Sequence, residues 1–229
     1  MPGVVHMRHT HLQEHKFVSG QPETGAEIAE DLERICTNFG SENIAACIVE
    51  PIAGSTGTLV PPKGYLQRLR EICDKHGILL IFDEVITGWG RTGSPFASQE
   101  YRVTPDIITM AKATTNGISP LGAVACKEEI YDTVMDGSPK GSIELFHGYT
   151  YSGIPVSVAA GLAVQDIFEK EDIFSRAKEM SSYFQDGLFS LKDIDVVENI
   201  RGYGMMGGID IRKDTRPGKA GLETFKHCY

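Results

Sequence analysis

Apolar positions recur along the chain at two spacings, and their alternation predicts a sheet that is layered with helices. Helical spacing of apolar residues predicts a helix over residues 26–38 and a second that opens at 62–65 and ends at Gly77. Continuous apolar runs predict buried strands over residues 44–52 and 78–82. A strand, a helix and a strand at this spacing form a βαβ unit, which indicates a parallel pair with a right-handed crossover.

The same pattern continues through the rest of the chain, whereas the first 25 residues show no period and are predicted to be loop. The later predicted elements are strands over residues 105–110 and 121–126, helices over 155–168 and 171–191, and strands over 196–200 and 205–211. The order of these elements predicts two domains. Residues 1–190 would form the later part of a mainly parallel α/β domain with helices on both faces of its sheet. Residues 191–229 would form the start of a small α+β domain.

Composition describes an ordinary globular protein. Of 229 residues, 41% are hydrophobic and 23% are charged. The net charge of −9 argues against nucleic acid and anionic membranes as partners, because both attract basic surfaces. No apolar run approaches the length of a membrane span, and the start of the chain lacks the features of a signal peptide. The five cysteines form no Cys-x-x-Cys pair, which predicts reduced thiols and a cytoplasmic protein.

Two polar residues close apolar runs that are predicted to be neighbouring strands. Asp83 ends the run 79–82, and Lys112 follows the run 107–111. Ligands of open parallel sheets bind at the carboxyl ends of strands, where both residues are expected. A pyridoxal phosphate (PLP) site needs these groups, because a lysine holds the cofactor as a Schiff base and a carboxylate keeps its ring nitrogen protonated. Val85 could pack against the ring face. Alone, either residue is better explained as the solvated end of a strand, and an aspartate there often binds backbone amides.

The chain also resembles class III PLP-dependent aminotransferases of fold type I, and it is especially similar to their omega-amino acid (β-alanine) to pyruvate branch. The order and spacing of the matching segments agree over essentially the whole chain. These segments are residues 48–57, 60–66, 80–88, 90–93, 105–112, 120–124 and 148–153.

The resemblance implies roles for individual residues. Asp83 matches the partner of the cofactor's ring nitrogen, Val85 the residue under the ring, and Lys112 the Schiff-base lysine. Thr150 matches a threonine that reaches the cofactor phosphate of the neighbouring subunit, which implies a homodimer with shared active sites. Ser55 stands where ornithine and γ-aminobutyrate relatives have a glutamate, and this favours an omega-amino acid or amine as donor and pyruvate as the keto-acid acceptor.

The sequence departs from the family pattern near the proposed site. Ala113 and Thr114 follow the lysine where glycine and an aliphatic residue are usual, and Trp89 stands where phenylalanine is common. Family members are also much longer than this chain. They carry a phosphate-binding helix start before the matching region and a carboxylate-binding arginine after it. We therefore expect an exposed sheet edge, weak cofactor binding and little or no activity from this chain alone.

Other interpretations stay open or are weaker. An aminomutase or a decarboxylase would use the same lysine and aspartate, and a non-catalytic aminotransferase fragment would retain both. Glu50 either supports the site or is a buried structural carboxylate. No metal site is predicted, because the four histidines between residues 6 and 15 are better explained as surface loop residues. We expect Arg91 to shape its loop rather than to bind substrate.

Overall fold

A computed structural model describes residues 3–141, 145, 147–212 and 218–228. The helices are α1 Glu30–Phe39, α2 Tyr65–His76, α3 Ala97–Glu100, α4 Glu128–Gly137, α5 Pro155–Lys170, α6 Ile173–Phe189 and α7 Lys219–His227. The strands are β1 Ala46–Val49, β2 Leu79–Asp83, β3 Ile107–Met110, β4 Ala123–Cys126, β5 Val197–Tyr203 and β6 Met206–Ile211. Single 3₁₀ turns lie at Gln13–His15, Ala26–Ala29, Ser41–Asn43 and Lys112–Thr114.

Four strands form one sheet in the order β1-β2-β3-β4. The first three strands are parallel, and β4 is antiparallel to β3. The predicted α/β class with a mostly parallel sheet is therefore confirmed. Strands β5 and β6 form a separate antiparallel pair.

One face of the four-stranded sheet packs on the core, and the other is open. Cys47, Leu80 and Phe82 alternate with less buried neighbours and lie in the same buried cluster as residues of α1 and α2. The apolar residues of α2 recur at helical spacing, so one stripe of the helix meets the sheet. On the opposite face, Ile48 is 63% exposed and Val124 is 69% exposed.

The β5–β6 pair packs against the first sheet's domain. Met206 belongs to the buried core cluster, and Arg201 donates to the carbonyl oxygen of Gly57 as well as to both carboxylate oxygens of Asp210. The amide of Met205 donates to the carbonyl oxygen of Arg91 at 2.8 Å. These contacts place the small sheet beside the loop that follows β2. The division of the chain near residue 190 stays a prediction.

Several elements differ from the sequence-based expectations. Strand β1 is shorter than the predicted run 44–52, because the Glu50 carboxylate accepts a hydrogen bond from the amide of Gly54 and turns the chain. Helices α4 and α7 were not predicted. Cys36, Cys47 and Cys73 are buried free thiols as expected, but Cys126 and Cys228 are exposed.

The start of β3 is held by a buried carboxylate. Asp106 accepts hydrogen bonds from the Leu80 amide and Arg70, both at 2.7 Å, and forms an ion pair with Lys127 at 2.7 Å. Burial raises the pKa of Asp106, but the hydrogen bonds from Lys127, the Leu80 amide and Arg70 outweigh it, so the pKa lies below its ordinary value.

We predict that Asp106→Asn lowers the free energy of unfolding by about 2 kcal/mol at neutral pH, because Arg70 and Lys127 lose a buried charged acceptor. Since the folded-state pKa of Asp106 is depressed, its contribution is present above the unfolded-state pKa and is lost as the pH falls through the folded-state pKa. As the pH is lowered below about 4, the free energy of unfolding should therefore fall less in the variant than in the wild type.

Urea titrations across this pH range measure both effects. Asp74→Asn is the matched control, because Asp74 also pairs with Arg70 but its carboxylate is exposed. Equal losses for the two variants would contradict the assigned role of Asp106.

Candidate active site

The candidate site lies at the carboxyl ends of β2 and β3. Asp83 is the last residue of β2 and pairs in register with Thr109 of β3. Lys112 follows the end of β3 at Met110, so both residues leave the sheet at the same edge. Side chains of residues that pair in register point to the same face of a sheet. Asp83 therefore shares the open face with Ile48 and Val124, away from the core.

The Asp83 carboxylate is half-buried and is fixed through one oxygen. Its Oδ1 accepts hydrogen bonds from the amide of Val85 at 3.0 Å and from the hydroxyl of Thr109 at 3.2 Å. Within the described residues, no hydrogen bond reaches Oδ2. The carboxylate thus has a set orientation and one oxygen available for a ligand, which suits a protonated ring nitrogen.

Lys112 lies on a single 3₁₀ turn and has a backbone φ of 46°, in the left-handed region that a lysine seldom adopts. Its side chain is exposed, and it forms no ion pair with any residue that the structure describes. A primary amine without an ion-pair partner among the described residues therefore lies on the turn that follows β3, the strand next to the one that carries Asp83. A carboxylate with an available oxygen and a primary amine are the two kinds of group that could hold the ring nitrogen and the aldehyde carbon of PLP.

Glu84 is a site-supporting residue that the sequence analysis missed. It is fully buried, and its carboxylate accepts hydrogen bonds from the amides of Ala97 and Ser98, at 2.6 and 2.8 Å, and from the hydroxyl of Thr87 at 3.0 Å. These bonds tie the start of α3 to the end of β2 and so set the path of the loop that contains Val85. The available signal was an acidic residue directly after a buried strand, with a threonine three positions later.

Glu50 and Arg91 stabilise loops near the site through hydrogen bonds to the backbone. Glu50 binds the Gly54 amide at 2.9 Å, and Arg91 donates to the carbonyl oxygen of Ile86 at 2.8 Å. Burial lowers the pKa of the Arg91 guanidinium, and in the described part of the chain it faces no carboxylate partner. Ser55 is exposed.

Val85 and Thr150 are placed differently. Val85 is half-buried, and its amide donates to the Asp83 carboxylate. Thr150 is exposed on a turn, and its hydroxyl donates to the carbonyl oxygen of Gly148 at 3.0 Å. The single chain brings Asp83, Val85 and Lys112 to the carboxyl ends of β2 and β3. Among the described residues, no hydrogen bond joins Thr150 to any of the three. Its predicted contact with a neighbouring subunit stays a prediction.

The described residues contain one large cavity away from the candidate site. A cavity of about 1080 Å³ lies between residues 3–10, α1 and β1, but neither Asp83 nor Lys112 lines it. Among the described residues, no group of three or more His, Cys, Asp or Glu side chains could hold a metal ion. No described helix is long and apolar enough to cross a bilayer.

The chain is similar in sequence to known aminotransferases. The chain is 52% identical to an omega-aminotransferase of Caulobacter vibrioides, with 100% of this chain and 52% of the relative covered. It is 45% identical to an omega-amino acid–pyruvate aminotransferase of Pseudomonas putida, with 99% of this chain and 52% of the relative covered. The chain thus spans about half the length of these curated relatives.

Solved structures show the same similarity. The omega transaminase of Pseudomonas jessenii in complex with PMP superposes with a TM-score of 0.80 at 32% identity, over 89% of this chain and 47% of that one. The family described as aminotransferase class-III matches residues 1–227. On the strength of the family match and these identities, the chain belongs to the class III aminotransferases.

Proposed function

We propose that the protein to which this chain belongs is a PLP-dependent transaminase that transfers an amino group from an omega-amino acid or an amine to pyruvate. One observation in this class III aminotransferase chain carries the proposal. Asp83 has an available carboxylate oxygen at the end of β2, and Lys112, whose amine forms no ion pair with a described residue, follows the neighbouring strand β3. The acceptor and donor classes follow the name of the Pseudomonas putida relative, which is an omega-amino acid–pyruvate aminotransferase.

Asp83 and Lys112 are the residues that would hold PLP. When bound, PLP supplies an electron sink that makes a bond at the substrate's amine-bearing carbon labile. PMP, the aminated form of this cofactor, is bound in the Pseudomonas jessenii structure, and this supports the same cofactor here.

Asp83 would hold a proton on the ring nitrogen through Oδ2. Its other oxygen is already engaged by the Val85 amide and the Thr109 hydroxyl, so the carboxylate cannot easily turn away. An anionic carboxylate beside a pyridine nitrogen favours the protonated ring, because opposite charges within a few ångströms stabilise the charged form. Val85 would support the ring from one face.

Lys112 would act at the other end of the cofactor. Its Nζ would hold the cofactor covalently and would move a proton to and from the substrate's amine-bearing carbon. Because Lys112 has no ionic partner among the described residues, its amine is available for both tasks.

The remaining proposals concern the whole protein. We propose a cytoplasmic homodimer in which Thr150 binds the cofactor phosphate of the neighbouring subunit, because its hydroxyl is exposed on a turn.

An aminomutase or a decarboxylase would also use Asp83 and Lys112. Product analysis with and without pyruvate separates these reactions, since only transamination requires the keto acid.

We predict that the chain mixed with PLP develops a visible Schiff-base absorption band, and that Lys112→Ala abolishes it. Borohydride reduction followed by peptide mass spectrometry should place the pyridoxyl group on Lys112. Lys178→Ala is the matched control, because Lys178 is also exposed but lies on α6. An unchanged band in Lys112→Ala would overturn the cofactor assignment.

We also predict that, in the whole protein to which this chain belongs, Asp83→Asn retains the band but slows the conversion of bound PLP to PMP by an added amine about 100-fold or more, because a neutral amide does not hold the ring nitrogen protonated. Stopped-flow loss of the visible band measures this single-turnover rate. Asp132→Asn, on the exposed side of α4, should leave the rate unchanged. A rate for Asp83→Asn within about twofold of wild type would contradict the proposed role.

A further inference from the structure

Trp89 and Thr114 form a hydrogen bond between the loop after β2 and the turn that carries Lys112. The indole Nε1–H of Trp89 donates to the Thr114 hydroxyl oxygen at 3.0 Å. Both residues are departures from the family pattern noted in the sequence, but only the structure shows that they contact each other. A phenylalanine and an aliphatic side chain could not form this bond.

The Thr114 hydroxyl is at the same time a donor. It bonds to the carbonyl oxygen of Ala111 at 2.9 Å, and the Thr114 amide donates to the same oxygen at 3.0 Å. These two bonds close the turn around Lys112, whose left-handed backbone conformation needs support from its surroundings. Thr114 is buried, so water does not readily replace either bond.

Helix α5 packs behind both partners. Phe168 stacks on Trp89 with 5.8 Å between ring centroids, and Phe96 contacts the indole from another side at 5.0 Å. Gly161 of α5 lies against the turn, because even a Cβ at that position would make van der Waals contact with the carbonyl oxygen of Thr114, at 3.5 Å. The indole and the turn therefore have little freedom to move apart.

We infer that Trp89 and Thr114 are positioning residues for Lys112. Through their hydrogen bond, the loop that begins at Asp83 holds the turn that presents the Lys112 amine, so the two reactive groups keep a constant relative placement. This inference rests on the proposed function, because the position of Lys112 affects the reaction only if Lys112 is the reactive amine.

Thr114→Val tests the inference because it keeps the shape of the side chain but removes the hydroxyl. The Trp89 N–H then loses its acceptor and the Ala111 carbonyl loses one donor. Thr114→Ser retains the hydroxyl and is the conservative control. Trp89→Phe removes the donor while keeping an aromatic ring between Phe96 and Phe168.

The first readout needs no cofactor. The rate of acetylation of Lys112 by acetic anhydride, followed by peptide mass spectrometry, reports the local environment of its amine. We expect Thr114→Val to change this rate by roughly 3- to 10-fold, the usual worth of a buried hydrogen bond. Thr114→Ser should match wild type, and the rate at Lys178 should be the same in every variant.

A double-mutant cycle identifies the bond itself. Once Thr114→Val is present, Trp89→Phe should have almost no further effect on the Lys112 rate, because the shared bond is already lost. Trp89 is the only tryptophan of the chain, so its fluorescence emission should shift in Thr114→Val and not in Thr114→Ser.

The second readout uses PLP. The pH midpoint of the Lys112 Schiff-base band should shift in Thr114→Val and return to the wild-type value in Thr114→Ser. Additive effects in the cycle, or identical Lys112 acetylation rates in all variants, would overturn the inference. A wild-type chain without a band would contradict the proposed function, and the acetylation rates would still decide the positioning role.

Discussion

The parallel pairing of β2 with β3 is the constraint on which the candidate site depends. The register places Asp83 opposite Thr109. Hydrogen bonds extend the pairing to the residue before β3, from the Asp106 amide to the Leu80 carbonyl oxygen, and to the residue after β2, from the Glu84 amide to the Thr109 carbonyl oxygen. A shift of the register by one residue would turn Asp83 toward the core and away from the open face. The site exists because two strands with polar ends are held side by side.

A second set of contacts controls the loops that leave those strands. The buried Glu84 binds the start of α3, and Trp89 bonds to Thr114 in the turn that carries Lys112. These contacts connect residues that are distant in sequence, so their effect is on relative placement rather than on the chemistry of any one side chain. They also explain how Lys112 can hold a left-handed backbone conformation.

The sequence was sufficient to predict the elements whose periodicity is strong. The apolar stripe of α2 and the apolar run of β2 predict a βαβ unit, and the structure contains it as a parallel pair. Two features were not predicted. Nothing in the run 121–126 indicates that β4 runs antiparallel, and the sequence analysis overlooked α4 although Ile130, Tyr131, Val134 and Met135 recur at helical spacing. The roles of Glu84 and the Trp89–Thr114 bond depend on tertiary contacts, which local patterns do not contain.

The central claim is that one cofactor lies between Asp83 and Lys112. A crystal structure of the chain soaked with PLP tests it most directly. We predict continuous electron density from the cofactor's aldehyde carbon to Lys112 Nζ, with the ring nitrogen about 2.8 Å from a carboxylate oxygen of Asp83. A cofactor bound elsewhere, or attached to Lys112 with its ring nitrogen turned away from Asp83, would contradict it.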